Sequence, residues 1–474
     1  VLTPRGNQLD IPGSVAPLGH AGFAVTYAGK RLVIDPWFYP AFCGSWFPWP
    51  DNRNLAWDAR EMDVLYISHA HEDHFDRRFL ASVAKDTLVL VPRFRSRRLE
   101  RDLRDLGFTR LVVLGHGEQH QLGPGFTASM LLDESGKEDS ALLLDMGNYR
   151  FLDSNDCELP LSAWPGQVDL LACQYSGASW YPQCYVYPRR VMAAKTREVR
   201  DLCLERLARR VHATGAKAYM PSAGPPVFLD PALAGYNNRD GIFPWWEDVA
   251  TGFEIRCPGV RVVPPPQPVY GVGEYRQARE REWRAWYEQP DTPASAGEVA
   301  AHFAGLARRN RAYLGDWRRD IRLTAGRSAW DLSLGAVTPD LEDAPADPGF
   351  RMHVPPRVLR AVLDGRTGWE EALLSMRLRL RPADDSEYDL ALFTLLTYGG
   401  QPARTLAEAR RRDDSELIAR DGITMQRWCP HAGEDLAYAT VMDGVVECPR
   451  HHWRWDAKTG ECLSGGDTRL RVTA

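Results

Sequence analysis

Short alternating apolar runs dominate the first 260 residues. From Gly22, FAVTY and RLVIDP are separated by Ala28–Gly29–Lys30, a pattern that predicts two antiparallel strands joined by a tight turn. A further run, MDVLYIS, ends at Ser68, where histidines begin to cluster. FDRRFLASVAKD then brings Phe75, Phe79, Leu80 and Val83 towards one helical face. Strands are predicted at Thr87–Val91 and Arg110–Gly115, around a basic helix near Arg97–Leu106. Gly125–Leu132, Ser140–Leu144, Tyr149–Leu152, Val168–Cys173, Ala216–Pro221 and Val260–Val263 continue the strand-rich pattern. Such strands with helices between them predict sheets covered by helices.

The pattern changes near Tyr275. Tyr275–Trp286 and Ala296–Trp317 read as Arg-rich helices, and LEDAPADPG (Leu341–Gly349) as a Pro/Asp-rich connection. A second sheet-and-helix region starts at Val354, and the last stretch is β-like. The 474 residues exceed the roughly 250–300 at which single cores stop growing. The expected division is 1–275, a metal domain; 276–350, a helical extension and linker; and 351–474, a C-terminal region with a second metal site.

Composition narrows the classes. With 58 basic and 63 acidic residues, the net charge of −5 gives no basic face for a nucleic acid polymer. No apolar run approaches the ~18 residues of a membrane span, and VLTPRGNQLD lacks the features of an export signal, so a cytoplasmic location is expected. Nine cysteines are too sparse for a disulfide scaffold. Trp37, Trp46, Trp49 and Trp57, and later Trp164 and Trp180 with Tyr175, Tyr181, Tyr185 and Tyr187, either fill the core or wall a pocket.

Near the C-terminus, Cys429-x-His431 and Cys448-x-x-His451 are separated by sixteen residues, with the hairpin signal Asp443–Gly444 between them. Two thiolates for one iron and two imidazoles for the other are what a Rieske [2Fe–2S] centre needs; a Cys2His2 zinc site uses the same atoms. Pro430 and Pro449 stiffen both loops. The segment resembles the Rieske family, extending through W453-R-W-D-x-x-x-G460. His452 departs from the Gly usual there.

The second cluster is His69, His71, Asp73 and His74 in ISHAHEDHFD, directly after an apolar strand. Alternating residues there can aim two imidazoles at one metal while Asp73 and His74 reach a second. The string reproduces the H-x-H-x-D-H motif and so resembles the metallo-β-lactamase superfamily, together with Gly19–His20 before a β run and FLDSNDC (Phe151–Cys157). That resemblance implies an αββα sandwich, with a mostly β Rieske domain following it. It implies Asp156 as a carboxylate bridging two metals and Asp35 as a structural acid. The histidine that hydrolytic members place before the bridging Asp is missing; Asp133, Glu134, Glu138 and Asp139 are candidates, with Asp133 preferred. Ser222 or Ala223 stands where the last ligand is expected, and His116 and His120 are further candidates. A carboxylate-enriched site favours iron over zinc.

Together the two centres resemble the CMP-N-acetylneuraminate hydroxylase family and the diiron monooxygenases of the metallo-β-lactamase fold. The resemblance implies an O2-dependent monooxygenase with nonheme iron at His69, His71, Asp73, His74, Asp156 and Asp133, two irons being preferred over a mononuclear site. It would insert one oxygen atom into a polar biosynthetic intermediate such as an amino sugar or nucleotide sugar. With no Gly-rich nucleotide cradle, electrons are expected from an external ferredoxin or flavoprotein reductase through His431 or His451. Folding or packing within a homo-oligomer would bring those residues to the first site. The competing readings are a metallohydrolase with a redox-sensing cluster, in which a metal activates water, and an electron-transfer protein with a vestigial first site.

Overall fold

The structure is a computed structural model that describes residues 13–133, 138–159, 163–177, 179–238, 240–315, 317–335, 349–383, 389–401, 405, 416–430, 435–448, 453–464 and 468–473. The chain divides into two compact units. One comprises Val1–Leu159, Ala163–Ser179 and Ala193–Glu288; the other comprises Pro160–Ser162, Trp180–Met192 and Gln289–Ala474.

The first unit is built on two sheets. β1 (Ser14–Gly19), β2 (Gly22–Tyr27), β3 (Lys30–Ile34), β4 (Val64–Tyr66), β5 (Leu88–Pro92) and β6 (Arg110–Leu114) lie in sequential order. The second sheet runs β13-β12-β11-β10-β9-β8-β7, from β7 (Gln119–Gly123), β8 (Phe126–Leu132), β9 (Ser140–Met146), β10 (Tyr149–Asn155), β11 (Leu170–Gln174), β12 (Ala218–Ser222) and β13 (Arg261–Val262). The Ala28–Gly29 turn forms as expected, with both residues at positive φ and Tyr27 paired with Lys30.

Alternation along the strands makes three layers of core. Phe23, Val25, Leu32, Ile34 and Leu90 of the first sheet pack on Phe126, Met130, Leu142, Phe151 and Met220 of the second. Outside the first sheet, Val33, Leu65 and Val89 meet α1 (Arg77–Leu80) and α2 (Arg98–Asp105) through Phe79, Leu99 and Leu103. Outside the second, Leu152, Leu171 and Tyr219 meet α3 (Arg189–Thr214) and α4 (Trp246–Arg256) through Leu207, Val211, Trp246 and Phe253. This is the expected αββα sandwich.

Some predicted helices are shorter or divided. The helix expected over 75–86 is one turn, capped by Asp76, whose carboxylate accepts from Phe79 N and also from Phe38 N and Tyr39 N. Tyr275–Trp286 is two helices, α5 (Val272–Ala278) and α6 (Glu280–Glu288), parted at Arg279. That arginine is fully buried: its guanidinium donates to Tyr275 Oη (2.9 Å) and to the Phe38 carbonyl and lies 3.0 Å from Glu282. Tertiary bonding of Arg279 thus overrides a continuous helical period.

In the second unit, α7 (Ala296–Arg309) and α8 (Arg311–Leu314) precede a four-stranded sheet, order β15-β14-β16-β17. Its strands are β14 (Arg318–Ala325), β15 (Ser328–Gly335), β16 (Phe350–His353) and β17 (Arg379–Pro382); α9 (Pro356–Leu363), α10 (Trp369–Leu374) and α11 (Leu390–Tyr398) accompany them. The β14–β15 hairpin lies within the stretch expected to be helical, where the alternation of DIRLTA outweighs the arginines around it. Trp180, Tyr185 and Tyr187 stack in this unit with Phe393 close by, so they fill a core. Two small sheets end the chain: β18 (Leu417–Arg420), β19 (Ile423–Gln426) and β23 (Val472–Thr473), and β20 (Thr440–Met442), β21 (Val445–Glu447) and β22 (Arg454–Asp456). β20 and β21 turn at Asp443–Gly444, both at positive φ, as the sequence predicts. Among the described residues, no helix is long and apolar enough to cross a membrane.

Candidate metal centres

Four loops and the His20 turn between β1 and β2 meet at one edge of the sandwich. Asp35 ends β3, the 68–76 segment follows β4, Asp156 follows β10, and Ser222–Gly224 ends β12. Asp35 ties three of them: its carboxylate accepts from Ser68 N (2.8 Å), Ser68 Oγ (2.5 Å), His74 Nδ1 (2.8 Å) and Asn155 Nδ2 (3.1 Å). The fourth is tied by Ala223 N, which donates to the His20 carbonyl, and by Ser222 Oγ, which donates to Asn155 Oδ1. His20, Asp35, Asn155 and Ala223 all hold left-handed φ of 39–48° without being glycine. Such strain persists where surroundings over-determine it, and it gathers at functional sites.

Six side chains converge there as two trios whose donor atoms lie within 4.8 Å of one another: His20, Asp73 and His74, and His69, His71 and Asp156. His20 and His74 are directed by their outer nitrogens. Nδ1 of His20 donates to the Gly224 carbonyl (2.7 Å), and Nδ1 of His74 to Asp35 (2.8 Å). Nδ1 of His69 lies 3.2 Å from Asp139 Oδ1. Once Nδ1 carries the proton, Nε2 of each neutral ring aims a lone pair inward, the tautomer that metal-binding histidines are held in.

The inward atoms face other acceptors. His20 Nε2 is 3.0 Å from Asp73 Oδ2, His69 Nε2 is 2.9 Å from His71 Nδ1, and His74 Nε2 is 3.4 Å from Asp156 Oδ1. Among the described residues, His74 Nε2 and Asp73 Oδ1 are buried without a hydrogen-bond partner. Acceptors gathered at these distances need protons or cations between them. Burial works against a charged His74, yet Asp156, Asp73 and Asp35 outweigh it and hold its pKa well above the usual value. Burial likewise works against an ionised Asp73, but His74 and His20 bring it down to about 2. Asp153, behind the site, is pushed well above its usual value by burial and by Asp35. The donor set therefore fits two cations, and its mix of imidazole and carboxylate fits iron.

The sequence places His69, His71, Asp73, His74 and Asp156, and all five lie in the trios, with His69 and His71 in one and Asp73 and His74 in the other. Asp133 is in neither; it is buried, with its N–H donating to the Asp139 carbonyl. Asp139 backs His69, and Glu138 accepts from Ser96 N and Oγ. His116 and His120 are in neither trio. The trio residue that sequence reasoning missed is His20. Its signal was the Gly19–His20 pair between two strands, read only as a family feature. Glu134 lies outside the described residues.

A cleft of about 270 Å³ adjoins His20. Trp49, Tyr175, Trp245 and Trp246 line it with Pro50, Pro221 and Glu247, and the Trp49 and Trp245 rings are stacked 6.1 Å apart. Among the early tryptophans, Trp49 thus faces a pocket, Trp37 and Trp46 are core, and Trp57 is exposed.

In the C-terminal unit, Cys429 and Cys448 are completely buried in one core with Met425, Leu436, Val446, Trp455 and Leu470. Cys429 follows β19, and Cys448 follows β21 with its N–H donating to the Trp453 carbonyl (2.9 Å). Two buried thiols on loops after adjacent small sheets fit the thiolate half of a [2Fe–2S] site. His431, His451 and His452 lie outside the described residues.

Comparison with known proteins agrees with both halves. Residues 14–138 match the β-lactamase superfamily domain and residues 406–471 the Rieske [2Fe-2S] domain. A protein of Mycolicibacterium smegmatis, provisionally named a Rieske 2Fe-2S iron-sulfur protein, is 30% identical over 96% of this chain and 99% of its own. The chain belongs to this Rieske iron-sulfur protein family. Mouse cytidine monophosphate-N-acetylneuraminic acid hydroxylase is 27% identical over 35% of this chain and 31% of its own length. The solved structure of CmlA, a diiron beta-hydroxylase from Streptomyces venezuelae, covers 46% of each chain at 21% identity with a TM-score of 0.32. The chain thus joins a β-lactamase superfamily domain to a Rieske [2Fe–2S] domain, and a Rieske domain implies a redox partner.

Proposed function

We propose that this Rieske protein is an O2-dependent monooxygenase that uses a nonheme iron centre, with two irons, to insert one oxygen atom into a polar biosynthetic intermediate. The amino sugar or nucleotide sugar class is suggested by the hydroxylase relative. The observation that carries the reading is the union, in one chain, of a Rieske domain at 406–471 and two trios of inward-facing imidazole and carboxylate atoms. Hydrolysis has no use for a one-electron carrier.

In this reading His20, Asp73 and His74 hold one iron, and His69, His71 and Asp156 the other, with the two Asp156 oxygens directed to different trios. Cys429, His431, Cys448 and His451 hold the cluster. When bound, the irons supply the chemistry of dioxygen reduction, and the cluster supplies single electrons drawn from a ferredoxin or flavoprotein reductase. The chain's own residues orient and exclude. Asp35, Asp139 and the Gly224 carbonyl fix the histidine rings and keep the Nδ1 protons outside the site. Phe42, packed against both Trp46 and His71, restricts water at the second trio. The Trp49–Trp245 cleft is suited to the ring of a substrate, with Glu247 at its margin. In this reading residues 1–275 carry the iron centre and 351–474 the Rieske region, while the β14–β17 sheet runs across the boundary expected at 350.

The test is single-product labelling. Incubation with substrate, reductase and 18O2 is expected to place one labelled atom in the product. Cys429→Ala should keep the N-terminal metals and lose multiple turnover, and His71→Ala should keep the Rieske spectrum and lose product. Full-rate product formation without O2, with undiminished turnover in Cys429→Ala, would instead establish a metallohydrolase carrying an auxiliary cluster.

A further inference from the structure

The cleft beside His20 lies within the first unit and has a chemistry of its own. Trp49 and Trp245 form an offset platform in it, their ring centroids 6.1 Å apart and their planes 30° from parallel. Tyr175 meets Trp246 edge to face at 5.4 Å and is only 5% exposed. A Cβ added at Gly224 would stand 3.0 Å from the Tyr175 hydroxyl, so that hydroxyl lies against the residue whose carbonyl orients His20. Among the described residues it has no hydrogen-bond partner. A polar group so buried costs free energy unless something that enters the cleft pairs with it.

The charge at the platform is negative. Glu247 accepts from Gln267 Nε2 (3.1 Å), a neutral amide that leaves the carboxylate charge in place. Among the described residues, no lysine or arginine lines the cleft. Burial, and after it the charges of Glu247 and Asp248, hold the Tyr175 phenol protonated far above its usual range, so the hydroxyl is a donor in a negative field. The N-terminal end of α4 opposes that field with about half a positive charge, but its first turn carries both Glu247 and Asp248. Pro221, Pro225, Pro265 and Pro266 also wall the cleft, and proline has no N–H to offer an anion. The volume of about 270 Å³ falls just below the roughly 300–1,000 Å³ of pockets for drug-sized ligands, which leaves room for one ring and not for a ring joined to a nucleotide.

We propose that this cleft binds an amino sugar ring that carries a free ammonium and no phosphate. The ring lies on the Trp49–Trp245 platform, the ammonium faces Glu247, and the Tyr175 hydroxyl donates to an oxygen of the ring. Because His20 and Gly224 line the same cleft, a ring held there adjoins the first trio. The inference rests on the reading of the cleft as the substrate pocket and narrows it, selecting the amino sugar over the nucleotide sugar.

The test is calorimetric titration of the full-length, metal-loaded protein with glucosamine, N-acetylglucosamine and cytidine monophosphate, without O2 or reductase. Glucosamine should bind saturably, and N-acetylglucosamine, the same ring without the ammonium, about fivefold more weakly, the worth of one exposed charge pair. Glu247→Gln keeps an acceptor for Gln267 and removes only the charge. It should weaken glucosamine about fivefold, leave N-acetylglucosamine unchanged and so abolish the preference between them. Trp245→Ala should weaken both sugars, and the control Glu198→Gln, an exposed carboxylate on α3 outside the cleft, should bind as the native chain does. Unchanged circular dichroism and Rieske EPR signal establish that the variants are folded. Absence of saturable glucosamine binding, an equal loss of both sugars in Glu247→Gln, or tighter binding of cytidine monophosphate than of glucosamine overturns the proposal. Failure of the oxygenase reading would show in the 18O2 experiment and would leave this affinity standing.

Discussion

The Asp156 carboxylate stands between two imidazoles, with Oδ1 3.4 Å from His74 Nε2 and Oδ2 4.0 Å from His69 Nε2. One side chain thus reaches both trios, though it follows a strand some eighty residues after the histidines. The β-bulge between Asp153 and Asn155 and the left-handed Asn155 turn it towards them. In the two-iron reading, Asp156→Ala should therefore lower the N-terminal metal content from two ions per chain to one or fewer, with the Rieske EPR signal intact. Elemental analysis of anaerobically loaded protein checks this, and retention of both ions would remove Asp156 from the ligand set.

His20 tests the part of the site that sequence reasoning passed over. It touches Asp73 on one side and the Gly224 carbonyl on the other, so His20→Ala should cost one metal ion specifically. Asp139→Ala leaves the ligand atoms in place and removes the partner of His69 Nδ1. Loss of such an outer partner typically weakens metal affinity about 10–100-fold. Competition with a calibrated chelator measures the loss, and unchanged affinity would show that the Ser68 hydroxyl, 3.0 Å from the same nitrogen, suffices.

The contrast between these residues shows what a sequence can display. His69, His71, Asp73 and His74 were legible because one short loop carries them, and both sheets because their alternation is strong. His20 and Asp139 become significant only when strands far apart in sequence meet, and nothing local separates Asp139 from Asp133 or Glu138. The break at Arg279 was hidden for the same reason: its partners Asp51 and Phe38 lie more than two hundred residues away.

Gly460 was legible as part of the Rieske-like W-R-W-D-x-x-x-G string, and its geometry explains it. It holds φ of +71°, and a Cβ there would run into the Leu470 carbonyl. Its carbonyl also accepts from Leu470 N at 2.9 Å, tying the end of the domain to the loop after Asp456. Gly460→Ala should consequently destabilise the Rieske region by several kcal/mol, combining strain with a displaced backbone. The expected result is a reduced cluster yield at 37 °C with the N-terminal metal content unchanged. A normal yield of cluster would mean that the loop shifts freely.

His302 gives the second unit a stability that depends on pH. The Trp369 indole N–H donates to its Nε2 at 3.0 Å, which requires a lone pair there and so leaves Nδ1 with the ring proton. Burial, and after it the positive charge of Arg309, brings its pKa from 6.5 down to about 4. Because the folded value lies below the unfolded one, the unfolded chain binds the extra proton between these limits, and stability rises with pH there. The contribution is complete above about pH 6.5, declines as pH falls, and is gone below about pH 4. A shift of this size corresponds to at most about 3 kcal/mol. His302→Gln removes the titrating group and can keep an acceptor for the indole, so its unfolding midpoint should change less between pH 7 and pH 5 than that of the native chain. Metal and cluster contributions are common to both proteins and cancel in the difference. Parallel curves for the two proteins over this range would show that His302 titrates alike in the folded and unfolded states.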